Sequence, residues 1–209
     1  MVLCYYSYKA NSLQKIFDTL INSYIENKVG IADDFLSTSL SIHLKQNLLE
    51  LFADKKLLSA GTGNQTIVVQ DKLVRSDSIY WLDRNHNDQY ENSFFTLMDN
   101  FILYLNSTCY TGITGYEFHY TRYETGSFYK KHIDQFQNNK SRAFSMIMYL
   151  NESWMEKDGG ELCIHHHNYL QNISPENGKC IFFKSSEIAH EVLVTQQPRL
   201  SITGWLKTN

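Results

Sequence analysis

The chain has 209 residues, 43% of them hydrophobic and 20% charged, an ordinary balance with ample length for the core of one domain. A net charge of −3 gives no global reason to expect nucleic acid or an anionic membrane as partner. No apolar run is long enough to span a bilayer, and the N-terminus lacks the basic and apolar regions of a signal peptide. Cys4, Cys109, Cys163 and Cys180 are scattered without Cys-x-x-Cys spacing. That argues against a zinc site and suits free thiols in a reducing compartment, so the expected location is cytoplasmic.

Leu13, Ile16, Phe17, Leu20, Ile21 and Tyr24 recur at helical spacing and predict an amphipathic helix over 12–27. A second helix is expected from near Ser37 to about Asp54, burying Leu40, Leu44, Leu48, Leu51 and Phe52. Residues 61–64 read as a turn and 66–69 as a strand, with another strand in 75–82. The polar stretch 84–89 reads as loop, its His86-Asn-Asp88 as solvated surface, and 92–106 returns to a heavily apolar helical period whose Phe94, Phe95 and Phe101 belong to a core. Beyond Gly115 the character changes to short β-type runs at 116–123, 143–150, 161–166, 179–184, 191–195 and 199–206, spaced as in a sandwich or jelly roll. The expectation is a single domain over 1–209, mainly β within an α+β class. Residues 1–30 form a helical extension, 31–110 the supporting helices and first strands, and 111–209 the β core with the functional site.

Chemistry concentrates in 123–134, where His132 and Asp134 stand two apart after a glycine-bearing turn. On a strand, residues i and i+2 share a face, so one imidazole and one carboxylate can converge on a metal. His190 follows the apolar run 180–183 and supplies a third candidate ligand. Two histidines and one carboxylate make the facial triad of non-haem Fe(II) oxygenases, which leaves metal positions open. Nine residues after His190, Arg199 opens an alternating strand on which Ser201, Thr203 and Trp205 share its face. An inward guanidinium needs an anionic partner, and its fork suits a carboxylate. His165-His-His167 reads instead as rim histidines, with no acidic residue paired to them locally. Tyr120, Tyr123, Tyr129 and Tyr149 are compatible with core tyrosines whose hydroxyls are satisfied.

With those four residues in hand, the sequence resembles the Fe(II)/2-oxoglutarate-dependent dioxygenases, and within them the prolyl 4-hydroxylase branch of the hypoxia-inducible-factor hydroxylases and their bacterial homologues. Asp33-Asp-Phe-Leu36, Arg75-x-Asp77-x-Ile79-x-Trp81, Tyr149-Leu-Asn151, Gly159-Gly-Glu-Leu162 and the strand from Arg199 to Trp205 carry the likeness. The resemblance implies a double-stranded β-helix, cupin-like, with N-terminal supporting helices. It implies Fe(II) held by His132, Asp134 and His190, and 2-oxoglutarate as co-substrate paired with Arg199, helped by Tyr149, with Thr203 nearby. It sets Tyr123 at the pocket wall, Arg142 near the substrate entrance and Trp205 as a lining aromatic. It also implies O2 as oxidant, ascorbate as reductant, and a protein substrate with an exposed proline, elongation factor Tu among bacterial relatives. The loops 83–90 and 110–115 are candidates for gripping that partner. Rival readings are an oxygenase acting on a ribosomal-protein proline, on another side chain or on nucleic acid, and a non-catalytic cupin-like binding module.

Overall fold

The computed structural model describes residues 2–61, 73–135 and 139–209, with side chains described from residue 12 onward. The expected strand at 66–69 and most of the turn before it lie outside these residues.

Helix α1 (Val2–Asn27) begins ten residues before the predicted helix and ends where expected. It leads into strand β1 (Val29–Ala32), which was not recognised in the sequence because four residues offer no period to read. Gly30 lets the two elements meet, since a Cβ there would stand 2.6 Å from the Leu20 carbonyl oxygen. Helix α2 (Thr38–Ala53) starts where the Ser37 hydroxyl accepts the Leu40 N–H and ends at Asp54, close to the predicted limits. Of its predicted apolar face, Leu44 and Leu48 are fully buried, whereas Phe52 is exposed and lies under the Arg122 guanidinium, 3.7 Å from its ring centre.

Strands β2 (Leu58–Ser59) and β3 (Ser78–Trp81) precede a short 3-10 turn at Arg84–His86 and helix α3 (Gln89–Cys109). The stretch around that turn is solvent-exposed at His86 and Asn87, as expected, yet it is anchored to α3. Asp88 caps α3 by accepting the Tyr90 and Glu91 N–H groups, and His86 Nδ1 lies 3.0 Å from the buried Glu91 carboxylate. Burial raises the Glu91 pKa against the opposing His86 contact.

Strands β4 (Gly115–Tyr123), β5 (Tyr129–His132), β6 (Arg142–Tyr149), β7 (Leu162–His165), β8 (Leu170–Ile173), β9 (Cys180–Lys184), β10 (Ala189–Val192) and β11 (Arg199–Lys207) complete the chain. They form a seven-stranded sheet in the order β1-β9-β6-β11-β4-β3-β2 and a four-stranded sheet in the order β5-β10-β7-β8. Every named strand pairing is antiparallel. The architecture is the mainly β double-stranded β-helix that the sequence led us to expect.

Strand alternation divides the apolar residues between two cores. On β6, Phe144, Met146 and Met148 join Phe17, Leu20, Phe94 and Phe101 in the layer between the helices and the large sheet. Ile147 and Tyr149 point the other way, into the space between the sheets, with Ile164, Ile181, Phe183 and Val192. Each fully buried large apolar side chain contributes about 1.5–3 kcal/mol. The helical layer therefore stiffens the large sheet from outside and leaves its inner face for chemistry. No helix among the described residues is long and apolar enough to cross a membrane.

Candidate active site

On the inner face of the large sheet, β11 presents Arg199, Ser201, Thr203 and Trp205, while Leu200, Ile202 and Leu206 enter the helical core. Register sets Tyr123 opposite Arg199, His119 opposite Thr203 and Glu117 opposite Trp205 on β4. On the other side, Tyr149, Ile147 and Ser145 of β6 face Ser201, Thr203 and Trp205. The small sheet supplies the opposing wall, with His132 on β5 directly across from His190 on β10.

His132, Asp134 and His190 come together, one ligand atom of each lying within 4.8 Å of the others. Asp134 Oδ1 stands 3.4 Å from His132 Nε2 and 3.8 Å from His190 Nε2. Both imidazoles are turned by their far nitrogens: His132 Nδ1 lies 2.8 Å from the Lys130 carbonyl and His190 Nδ1 3.1 Å from that of Ile188. A carbonyl only accepts, so these contacts place the protons on Nδ1 and leave the Nε2 lone pairs facing Asp134. Tyr129 stacks on His132 at 3.6 Å, and the Phe183 ring meets His190 edge-on at 4.8 Å.

Burial is the largest influence on Asp134 and pushes its pKa up, but His190, His132 and the Ser145 hydroxyl together outweigh it and hold the carboxyl well below the usual range. Burial lowers His190 to about 4, against the opposing pull of Asp134. At neutral pH the set therefore includes an ionised carboxylate and an uncharged His190, the protonation states a cation requires. Two neutral-type nitrogen donors and one carboxylate oxygen suit Fe(II) and leave half of an octahedron unfilled.

Arg199 is 1% exposed, the largest fully buried side chain among the described residues. Its Nε donates to the Gly160 carbonyl at 2.8 Å, and its guanidinium sits 4.9 Å from the Tyr149 ring centre and 5.1 Å from that of Tyr123. One guanidinium nitrogen and the Tyr149 hydroxyl are both buried and have no hydrogen-bond partner among the described residues. No carboxylate pairs with Arg199 among the described residues. A buried cation with unspent donors beside an unspent phenol fits an anionic carboxylate ligand. The Tyr149 and Tyr120 hydroxyls thus depart from the satisfied state expected of core tyrosines.

Toward the other end of β11, Trp205 is 7% exposed with its indole N–H unpartnered. Arg142 lies 3.4 Å over its ring and donates to Glu117 at 2.9 Å. Trp81, 46% exposed, stands 6.4 Å from Trp205. Thr203 Oγ1 is 3.4 Å from the Ser201 hydroxyl.

Sequence reasoning missed Ser145, whose hydroxyl donates to Asp134 Oδ2 at 2.6 Å and lies 2.9 Å from the Ser185 hydroxyl. Its position four before Tyr149 on one strand puts it on the inner face and was the available signal. His119 was also missed; it is buried on the site floor, and desolvation lowers it to about 4. Local sequence offers the triple histidine no acidic partner, as expected. His165 does have an acidic partner, Glu191, at 2.8 Å, brought by the neighbouring strand rather than by local sequence.

Fold, metal-type cluster and buried arginine together are compatible with a non-haem iron oxygenase. Residues 118–207 match the model of the 2OG-Fe(II) oxygenase superfamily. A prolyl-4-hydroxylase from Pseudomonas putida superposes with a TM-score of 0.83 at 27% identity, covering 93% of this chain and 100% of that one. A prolyl hydroxylase from Trichoplax adhaerens, solved with a hypoxia-inducible-factor peptide, gives a TM-score of 0.85 at 23% identity over 96% and 92% of the two chains. A prolyl 4-hydroxylase from Phytophthora capsici gives 0.72 at 17% over 94% and 65%. Over residues 118–207 the chain is thus similar to the 2OG-Fe(II) oxygenase superfamily, and the solved structures that it resembles include a bacterial prolyl-4-hydroxylase and a prolyl hydroxylase bound to a hypoxia-inducible-factor peptide.

Proposed function

We propose that this protein is an Fe(II)- and 2-oxoglutarate-dependent protein prolyl 4-hydroxylase. The observation that carries the reading is a buried arginine with no acidic partner among the described residues, sharing one inter-sheet space with a His-Asp-His cluster. In this reading His132 and His190 offer Nε2 and Asp134 offers Oδ1 to the metal. Fe(II) with 2-oxoglutarate and O2 supplies the oxidising power for C–H hydroxylation, with succinate and CO2 as the other products.

The protein's own part is placement. Arg199 takes the distal carboxylate of 2-oxoglutarate in its free fork, and Tyr149 donates its unused hydroxyl to the same group. Thr203 lies on the same face, and Tyr123 packs against the guanidinium and closes the wall behind it. The inner apolar residues, Ile147, Ile181 and Ile188, exclude water from the bound co-substrate. Arg142, held by Glu117 over Trp205, stands at the substrate side, where the exposed Trp81 offers an aromatic face to a prolyl ring.

A protein proline as substrate is supported by the prolyl-4-hydroxylase likeness at 27% identity over the full length of that structure. Elongation factor Tu is the first substrate to try, and a ribosomal protein the second; fold alone does not choose between them. Ascorbate enters as a reductant that keeps the iron ferrous, in the cytoplasm.

The test is an anaerobic titration of 2-oxoglutarate into the Fe(II) protein, followed by aerobic incubation with proline-bearing proteins. A visible metal-to-co-substrate band that disappears in His190→Ala, then a proline peptide heavier by one oxygen atom, supports the proposal. A band with oxygen transferred to another residue would retain the oxygenase and remove the prolyl assignment. Absence of any band in reconstituted protein leaves the binding-module reading.

A further inference from the structure

His190 points inward from β10, and the next residue points out. Cys163 and His165 likewise leave β7 on the face opposite to Leu162 and Ile164, which are core residues between the sheets. The antiparallel register sets Glu191 directly across from Cys163, and the small Ala189 across from His165. One ligand atom from each of Cys163, His165 and Glu191 falls within 4.8 Å of the other two. His165 Nε2 and Glu191 Oε1 are already 2.8 Å apart. The Cys163 residue is 2% exposed, while the His165 and Glu191 side chains keep 19% and 28% of their surface. The thiol is therefore sheltered beneath two groups that solvent can reach.

We propose that Cys163, His165 and Glu191 form a second metal site on the outer face of the small sheet, taking a thiophilic divalent cation of the zinc class, with water in the remaining position. The site is separate from the His132/Asp134/His190 cluster and goes beyond the proposed oxygenase reaction. Zn–S bonds of about 2.3 Å and Zn–N or Zn–O bonds of about 2.0–2.2 Å put tetrahedral ligand atoms roughly 3.3–3.8 Å apart. The existing spacings reach that geometry through small side-chain rotations, because two paired strands already hold the three Cα positions.

Donor chemistry separates the two sites. The inner set has no sulfur and suits iron, whereas a thiolate with imidazole and carboxylate favours zinc over Fe(II). On binding, Cys163 gives its proton to solvent, and thiolate plus carboxylate balance the charge of the dication. Lys131, a charged neighbour of Cys163, is exposed. Spacing along the chain concealed this site, because its third ligand lies 26 residues from His165 and is adjacent only across the sheet.

Cobalt(II) is the probe, since a thiolate ligand gives it an intense near-ultraviolet charge-transfer band that histidine and aspartate do not. The full chain, stripped with chelator and carrying Cys109→Ser to remove the exposed thiol, is titrated with Co(II) under reducing, anaerobic conditions. Two equivalents should bind, one of them with the thiolate band. Cys163→Ser should lose that band and one equivalent, and a His165→Gln/Glu191→Gln double variant, which keeps the thiol, should lose them too. His132→Ala should keep the band while losing the other equivalent, which separates failure of this site from failure of the oxygenase site. Thermal melting of each variant reports whether it is folded. A parent protein without the band, or a band that survives in folded Cys163→Ser or in the double variant, overturns the proposal.

Discussion

The Ser145 hydroxyl donates to Asp134 Oδ2 at 2.6 Å and thereby leaves Oδ1 as the oxygen turned toward His132 and His190. Asp134 lies beyond the last residue of β5, so the strand alone does not aim it. Ser145 sits in the middle of β6, a central strand of the large sheet, and fixes the carboxylate to a rigid element. Ser185 supports the serine in turn at 2.9 Å. Ser145→Ala should therefore weaken Fe(II) binding by about 10–100-fold, the usual cost of losing a group that orients a metal ligand. Ser145→Thr should restore most of it. Anaerobic metal titration checks this, and unchanged affinity in the alanine variant would show that Asp134 needs no such support.

Arg199 carries the opposite kind of problem, donors in excess of acceptors. Replacing it with alanine should weaken 2-oxoglutarate by about 1.5–3 kcal/mol, the value of charge-assisted hydrogen bonds, or roughly 10–150-fold. Tyr149→Phe, which removes only the unpartnered hydroxyl, should cost less, about 1 kcal/mol. Metal affinity should stay constant in both. The co-substrate dissociation constant and the Fe(II) constant, measured separately, decide whether the two functions are divided in this way.

His119 and His190 are both buried, and both are lowered to about 4 from an ordinary value near 6.5. Between those values the unfolded chain binds more protons than the folded one, so stability falls as pH drops from about 6.5 toward 4. Each histidine accounts for roughly 3 kcal/mol of that loss at most, at about 1.4 kcal/mol per pH unit. Asp134 acts in the same direction at lower pH: its depressed pKa contributes stability above the unfolded value near 4, lost as pH falls further. The melting temperature of metal-free protein should thus decline steeply below pH 6.5, and less so in His119→Asn. A flat profile in the wild type would contradict the burial argument.

Much of this arrangement was legible beforehand, for identifiable reasons. Alternation over 143–150 and 199–206 is strong because each strand divides its residues between two distinct cores, so the inner placement of Arg199 and Tyr149 follows from a two-residue period. His132 and Asp134 share a side, as spacing implied, even though the strand ends at His132. Strands β1, β2 and β8 fall outside the expected runs because two to four residues carry little periodicity, and β8 lies in a polar stretch held by pairing with β7. Phe52 was assigned to the core because a helical period cannot reveal that Arg122, from another element, covers it at the surface. Ser145 and Glu191 share one cause. Their partners are distant in sequence, and register across a sheet is not written along the chain.

Gly160 connects that register to co-substrate binding. It has φ +66°, a conformation that favours glycine, and its carbonyl accepts the Arg199 Nε–H at 2.8 Å. A Cβ there would lie 2.9 Å from Thr195 Cβ and 3.2 Å from Arg199 Cδ. Gly160→Ala thus meets two penalties, about 1–2 kcal/mol from the left-handed backbone and a clash that displaces the arginine stem. The expected result is a protein that still folds and binds Fe(II) but binds 2-oxoglutarate roughly tenfold or more weakly, because a shift in the guanidinium spoils a two-point contact. Ser127→Ala, in the turn that receives the Thr195 N–H through its main-chain carbonyl, should leave co-substrate affinity close to wild type. Equal affinity in Gly160→Ala and wild type would mean that the arginine finds its co-substrate without help from this turn.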